Sequence, residues 1–262
     1  MVSLKKKIVF ITGASSGIGK ACAEAFAALG AKLILTARRV DRLETLAKEL
    51  KTQHKTESYV AALDVRDQKA VEKLVKNLPK EYQKIDILVN NAGMAAGSDK
   101  AQASKLENWD VMIDTNLKGL LYVIHAILPE MVACQDGHII NIGSIAGFDC
   151  YPGSNVYSAT KHAVRAISYS LRMDLLGTKV RVSEIDPAAV ETEFSAVRWK
   201  DEKRAAQFYS EFTPLTSEDV ANSVIFCAQQ PPHVNIANIH IYPTDQASAH
   251  HIYRKQTEKK KS

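Results

Sequence analysis

Cysteine pairs are the first thing missing from this chain of 262 residues, which holds four cysteines and no CxxC motif. Cys22, Cys134, Cys150 and Cys227 are scattered at spacings that suit neither a zinc site nor a disulfide framework. Reduced thiols in a cytoplasmic protein without a bound metal are therefore expected. No uninterrupted apolar run reaches the ~18 residues that span a bilayer, so no membrane partner is expected. The opening Met-Val-Ser-Leu-Lys-Lys-Lys runs straight into a core-strand pattern, and no signal peptide is predicted. Aromatics are only 7% of the chain and are not interleaved with basic residues in a groove-like pattern, so a nucleic-acid partner is not expected. The formal charge of +5 does not change this. The tail over 254–262 carries +4 and Lys5–Lys7 carry +3, which leaves a slightly acidic body and a basic C-terminal tail read as a solvated terminus.

What is present is a globular core, with 46% hydrophobic residues, and a regular alternation of strand and helix patterns. Strands are predicted at about 7–12, 32–37, 57–63, 85–90, 137–143, 179–186 and 236–241. Helices are predicted at about 17–29, 40–51, 67–78, 105–133, 155–176 and 217–230. The strands are continuous apolar runs such as Leu33-Ile-Leu and Ile139-Ile, as expected where helices cover both faces of a parallel sheet. No linker or repeat interrupts the order, so residues 1–262 are expected to form one doubly wound α/β domain. Two stretches depart from the pattern. The second half of the 105–133 helix is apolar nearly all round, which predicts burial against the sheet on one side and another subunit on the other. About 188–214 is a long connection of the kind that serves as a functional lid.

Three motifs carry chemistry. The first strand feeds Gly13-Ala-Ser-Ser-Gly17-Ile-Gly19 and then a helix. Glycines at such a turn let the backbone approach a pyrophosphate at a helix N-terminus, which makes Gly13, Ser15, Ser16, Gly17, Ile18 and Gly19 candidate dinucleotide contacts on a Rossmann-type sheet. The second strand ends Thr36-Ala37-Arg38-Arg39 with no carboxylate at its tip. A carboxylate there would bind the ribose 2′-hydroxyl of NAD, whereas Arg38 and Arg39 suit the 2′-phosphate of NADP; the plainer alternative is that they solvate a helix start. Finally Tyr157 and Lys161 stand four residues apart on a predicted helix, sharing a face, with Ser144 available from an earlier loop. A free tyrosine titrates near ~10, so a tyrosine base at neutral pH needs its pKa lowered by roughly 3 units, about 4 kcal/mol. A close cation such as Lys161 would supply that shift.

Gly13–Gly19, Asn90-Asn-Ala-Gly93, Asn116, Ser144 and the Tyr157/Lys161 pair occur in order and at the right intervals for the short-chain dehydrogenase/reductase family. The chain resembles that family from residue 5 to about 245, and resembles most its NADP-dependent 3-hydroxy acid dehydrogenases, a branch that includes serine and allo-threonine dehydrogenases. The branch resemblance rests on Ile85–Gly93, Gly153–Tyr157, Thr192-Glu-Phe-Ser195 with Val197-Arg198, and Pro232–Ile236. The resemblance implies a parallel seven-stranded sheet and a homotetramer built on the helices around 107–133 and 155–176. It also implies roles for single residues. Tyr157 would be general base in oxidation and acid in reduction. Lys161 would tune it and bind the nicotinamide ribose, and Ser144 would hold the substrate oxygen. Asn116 would support a water relay to Lys161, unless it is simply a core asparagine bonded to a carbonyl. Asp64, Val65 and Asn90 match the adenine side, and Pro187, Val190 and Thr192 the nicotinamide side. The family's usual glycine after Pro187 is Ala188 here.

The polar stretch Arg198–Arg204 excludes a sterol or long-acyl pocket, and Arg198 is the candidate for holding a substrate carboxylate, against the reading of a solvated lid helix. The resulting expectation is an NADP-dependent oxidoreductase acting on a small 3-hydroxy acid. A 3-oxoacyl or general carbonyl reductase, and a non-catalytic dinucleotide-binding scaffold, are the alternatives. His138 and His162 read as packed or surface side chains.

Overall fold

The computed structural model describes residues 1–254, so all of the basic tail beyond Arg254 lies outside the described residues. Seven strands form one parallel sheet: β1 (Ile8–Thr12), β2 (Lys32–Ala37), β3 (Ser58–Ala62), β4 (Ile87–Asn90), β5 (Gly137–Ile142), β6 (Val180–Pro187) and β7 (Asn238–Ile241). Their order is β3-β2-β1-β4-β5-β6-β7, the doubly wound arrangement expected. Strand alternation explains the two cores. Val9, Ile11, Leu33 and Leu35 point to the face covered by α1 (Gly17–Ala28), α2 (Val40–His54) and α9 (Ser217–Ala228). Phe10, Ile34, Leu88, Ile139 and Val182 point to the opposite face, covered by α3 (Gln68–Lys76), α5 (Leu120–Cys134) and α6 (Asn155–Asp174). Because chain order reverses between β1 and β4, the carboxyl ends of these strands leave a crevice there.

Two elements differ from the sequence expectation. The helix expected over 105–133 is broken into α4 (Leu106–Ile113), a π-helical turn (Asp114–Gly119) and α5. Tertiary packing explains the interruption. A Cβ on Gly119 would lie 2.6 Å from Val65 Cγ2, and Asn116 is tied sideways to two other segments, so the chain widens its winding to place both. The connection expected over 188–214 also contains two helices, α7 (Glu193–Trp199) and α8 (Glu202–Tyr209), each begun by a side-chain cap, Thr192 on Phe194 N–H and Asp201 on Arg204 N–H.

The 29-residue stretch Leu106–Cys134 is long and apolar enough by length and composition alone to span a bilayer, with a mean hydropathy of 1.5 over its best window, but Asp114, Lys118 and Glu130 interrupt its apolar run. Here Leu120, Val123, Ile124, Ile127 and Met131 are buried within the domain, while Leu121 stays 40% exposed on the outer side.

Candidate active site

A cleft of about 680 Å³ opens at the carboxyl ends of the strands and brings most of the candidate residues together. Gly13, Ser15, Ser16, Gly17, Ile18, Arg38 and Arg39 line its first wall. Asp64, Val65, Pro187, Val190 and Thr192 line other parts, with Ser144, Tyr157, Lys161 and Arg198 at its centre. Gly19, Asn90 and Asn116 do not line it.

The glycine turn fits a dinucleotide phosphate on physical grounds. Gly13 and Gly17 have φ of +67° and +53°, where side chains other than glycine are strained. A Cβ on Gly19 would sit 2.5 Å from Gly13 O, so this glycine is what allows the turn to fold against α1. Ser16, the residue that opens α1, caps no backbone N–H with its side chain. The helix therefore presents its first N–H groups to the cleft, an arrangement that binds anions. At the tip of β2, Arg39 bonds Ser16 Oγ at 2.7 Å and pairs with Glu193 of α7 at 2.9 Å. Arg42 takes the other Glu193 oxygen at 2.6 Å. These two guanidinium groups hold the Glu193 carboxyl below the usual range. Glu193, given no role by the sequence reading, thus joins α7 to the expected 2′-phosphate corner.

On the adenine side, Val65 reaches the cleft, but Asp64 is chelated by Arg66, whose hydrogen bonds keep its carboxyl below the usual range. Asn90 turns into the sheet and donates to Asn141 Oδ1 at 3.0 Å, leaving its neighbour Asn91 on the cleft wall. The NNAG stretch therefore meets the cleft one residue later than expected. Asn91 Nδ2 also bonds the carbonyls of Thr12 and Gly13, which locks the glycine turn to β4.

Tyr157 and Lys161 lie one turn apart on α6, both almost fully buried. Lys161 Nζ donates to Ile142 O at 2.8 Å, at the end of β5. Burial pushes its ammonium down to about 8, while the carboxyl groups of Asp186 and Glu184 oppose that shift. Ser144 follows β5 directly and opens the short turn Ile145–Gly147, where its Oγ accepts Ala146 N–H at 3.1 Å. Its hydroxyl is also within hydrogen-bonding reach of the Tyr157 phenol.

The expected lowering of the Tyr157 pKa is not what this arrangement produces. Burial pushes the phenol up, the nearby Tyr151 adds to the rise, and Ser144 and Arg198 only partly offset it. These surroundings favour the protonated phenol over the phenolate.

Asn116 accepts Met94 N–H and donates to Met94 O, each at 2.8 Å, and donates to Thr160 Oγ1 at 3.1 Å. Its side chain is thus engaged as a brace between the NNAG loop and α6, with Lys161 not among its partners.

Arg198, on α7, is half-buried in the cleft rather than solvated. Its Nη1 donates to Tyr151 Oη at 2.9 Å and its Nε to Gly97 O at 3.1 Å. The guanidinium carbon lies 5.8 Å from the centre of the Tyr157 ring. Phe194, from the Thr192–Ser195 stretch, packs on Tyr157 at 5.7 Å between ring centres, and Tyr151, which carries no motif in the sequence, is brought into the cleft only by the fold.

A Rossmann-type sheet, a glycine turn with an exposed helix start and a buried Tyr/Lys/Ser group define a dinucleotide-dependent oxidoreductase site. The chain belongs to the short chain dehydrogenase family, whose pattern it matches over residues 7–203. Among its relatives is sulfoacetaldehyde reductase 2 of Chromohalobacter salexigens, 46% identical over 242 residues that cover 92% of this chain and 95% of that protein. The NADP-dependent 3-hydroxy acid dehydrogenase YdfG of Salmonella typhi is 47% identical over 244 residues, covering 92% of this chain and 97% of that protein. A closed form of serine dehydrogenase complexed with NADP+ superimposes with a TM-score of 0.88 at 46% identity, covering 95% of this chain and all of that one.

Proposed function

We propose that this chain is a cytoplasmic, NADP-dependent oxidoreductase that interconverts a small 3-hydroxy acid of the serine, allo-threonine or 3-hydroxyisobutyrate type and its 3-oxo acid. The cofactor reading is supported by the Arg38/Arg39 tip and by relatives named as NADP-dependent or bound to NADP+. The observation that carries the substrate class is Arg198. Its guanidinium sits in the cleft between Tyr151 and Tyr157, a short reach from the phenol, so a molecule bound to both must carry an anion near its hydroxyl carbon.

In this reading Ser144 and Tyr157 hold the substrate oxygen, Tyr157 exchanges the proton, and Lys161 faces the phenol's side of α6 as a cation. Bound NADP supplies the hydride acceptor; the chain orients the two partners and excludes water. Phe194 and the lid helices α7 and α8 close over the phenol and keep it dry.

A second reading concerns the anion rather than the chemistry. Relatives of equal similarity are named for sulfoacetaldehyde, and a guanidinium pairs with a sulfonate as well as with a carboxylate. The discriminating experiment measures turnover of serine, allo-threonine, 3-hydroxyisobutyrate, 2-hydroxyethanesulfonate and, in the reductive direction, an acetoacetyl thioester. Each is tested with both nicotinamide cofactors. The expected preference is a hydroxy acid with NADP, and a faster thioester would overturn the assignment.

Arg198→Leu should raise KM for the preferred acid about 10- to 100-fold, from loss of a charged hydrogen bond of about 1.5–3 kcal/mol. Uncharged esters of the same skeleton should be little affected. Unchanged acid kinetics would place the anion elsewhere in the cleft.

We also infer a homotetramer. Leu121 on α5, with Tyr169, Met173 and Leu176 on and just after α6, are exposed large apolar residues on the two helices expected to pair. Such a patch is commonly covered by another subunit. Sedimentation at the mass of four chains is the expected result, and a stable 28.9 kDa monomer at micromolar concentration would contradict it.

A further inference from the structure

Strand alternation on β6 puts Glu184 and Asp186 on the same side, directly behind the reacting groups, and neither has accessible surface beyond 1%. The chemistry described above does not use them. Asp186 Oδ1 accepts the backbone N–H of Ser144 at 3.1 Å, and Asn238 donates to Glu184 Oε2 at 3.1 Å. Glu184 Oε1 and Asp186 Oδ2 have no hydrogen-bond donor among the described residues. A Cβ on Gly143 would overlap Asp186 Oδ1 and lie 2.8 Å from Glu184 Oε1. Only a glycine there lets both carboxyl groups press against the strand end that bears Ser144. The preceding residue, Ile142, supplies the carbonyl that holds Lys161.

Two carboxylates so close in a dry interior cannot both ionise, and one retained proton also satisfies the two orphaned oxygens at once. The groups around them provide no compensating pair of cations. Lys161 faces them from α6, and His240 Nδ1 stands 3.4 Å from Asp186 Oδ2 on β7. Arg172 reaches Asn238 rather than either carboxyl, and Arg165 lies over the Phe148 ring that stacks on His240. Tyr242 and Asp149 lie further out, and the facing residue on β5, Asn141, is uncharged.

We propose that Glu184 and Asp186 share one proton and act as positioning residues for the reaction. The Glu184 carboxyl donates to the Asp186 carboxylate. The single negative charge that remains pins Ser144 through its N–H and keeps Lys161 in its ammonium form. The inference rests on the reading of Tyr157, Lys161 and Ser144 as the reacting set. Burial, reinforced by Asp186, pushes Glu184 up to about 8, in keeping with a retained proton.

The test compares Glu184→Ala, Glu184→Gln and Asp186→Asn. Glutamine can donate an amide hydrogen where the protonated acid donates its own, so it should restore most of the turnover that alanine loses. Asp186→Asn should lower kcat by about tenfold or more, the factor that goes with one charged hydrogen bond. It should also move the alkaline limb of the pH profile down by about one unit, because Lys161 loses the charge that opposes its burial. A merely structural pair would lower the rate without moving that limb.

Two measurements are independent of catalysis. The wild type should show a protonated-carboxyl infrared band that Glu184→Gln lacks. In addition, the folded Glu184 keeps its proton up to about 8, whereas an ordinary glutamate releases it near 4.5. The folded state then binds more protons across that interval, so stability falls as pH rises through it. Glu184→Gln has nothing to release, so its melting temperature should exceed that of the wild type most at pH 8 and the gap should narrow toward pH 5. Absence of both the band and the pH-dependent gap would overturn the shared proton. Unshifted pH profiles in all three variants would overturn the positioning role. If instead Tyr157→Phe kept its turnover, the site reading would fail by itself, while the infrared and melting measurements would still decide the pair.

Discussion

Tyr157→Phe is expected to lose turnover by about 10²- to 10⁴-fold in both directions, the range a positioned proton donor contributes. Only one oxygen is removed from a ring packed by Phe194 and facing Arg198, so the cleft should keep its shape. NADP affinity should therefore stay close to that of the wild type, and fluorescence titration of the reduced cofactor checks it. The elevated pKa of the buried phenol gives the prediction a direction. As the protonated species it can serve a carbonyl at once, so reduction in the wild type should remain active well below the pH at which oxidation becomes fast. A variant with more than about a tenth of the wild-type kcat would remove Tyr157 from its assigned role. Joint loss of cofactor binding and activity would indicate a collapsed cleft instead.

Replacing Arg38 and Arg39 together with neutral residues is expected to weaken NADP binding by about 100-fold or more, while NAD binding changes little. Two charge-assisted contacts of about 1.5–3 kcal/mol each set that scale. The structure adds a second consequence. Arg39 shares the Glu193 carboxylate with Arg42, so the double variant leaves half of that clamp between β2 and the start of α7. Both ion pairs are about half exposed, so this loss should be modest beside the loss of phosphate contacts. Isothermal titration with NADP and NAD distinguishes the two effects. Equal use of NAD and NADP by the wild type would show that the strand tip does not select the cofactor.

The parts of this protein legible in its sequence are those governed by local rules. Central strands such as β1, β2 and β4 stand out because burial on both faces demands continuous apolar runs, and the positions of all seven agree with the sheet to within a few residues. The Gly13–Gly19 turn is legible because its backbone needs positive φ and close approach, which only glycine supplies. Tyr157 and Lys161 share a helical face because the helix repeat requires it.

Tertiary structure alone decided the rest, since it depends on what distant segments bring to the same place. Asn116 braces Met94 and Thr160 because a π-helical turn forms where Gly119 meets Val65. Tyr151 enters the cleft from a loop with no motif of its own, and the contact of Phe194 with Tyr157 joins segments far apart in the chain. The rise in the phenol pKa reverses the expectation drawn from Lys161, because spacing reports a neighbour's charge but not how much water the fold excludes. Glu184 and Asp186 look in the sequence like an ordinary polar alternation on a strand. Their meaning arises only when the end of β5 is laid across them, with Gly143 making room. Local geometry is written in neighbouring residues, whereas desolvation and charge pairing are properties of the packed whole.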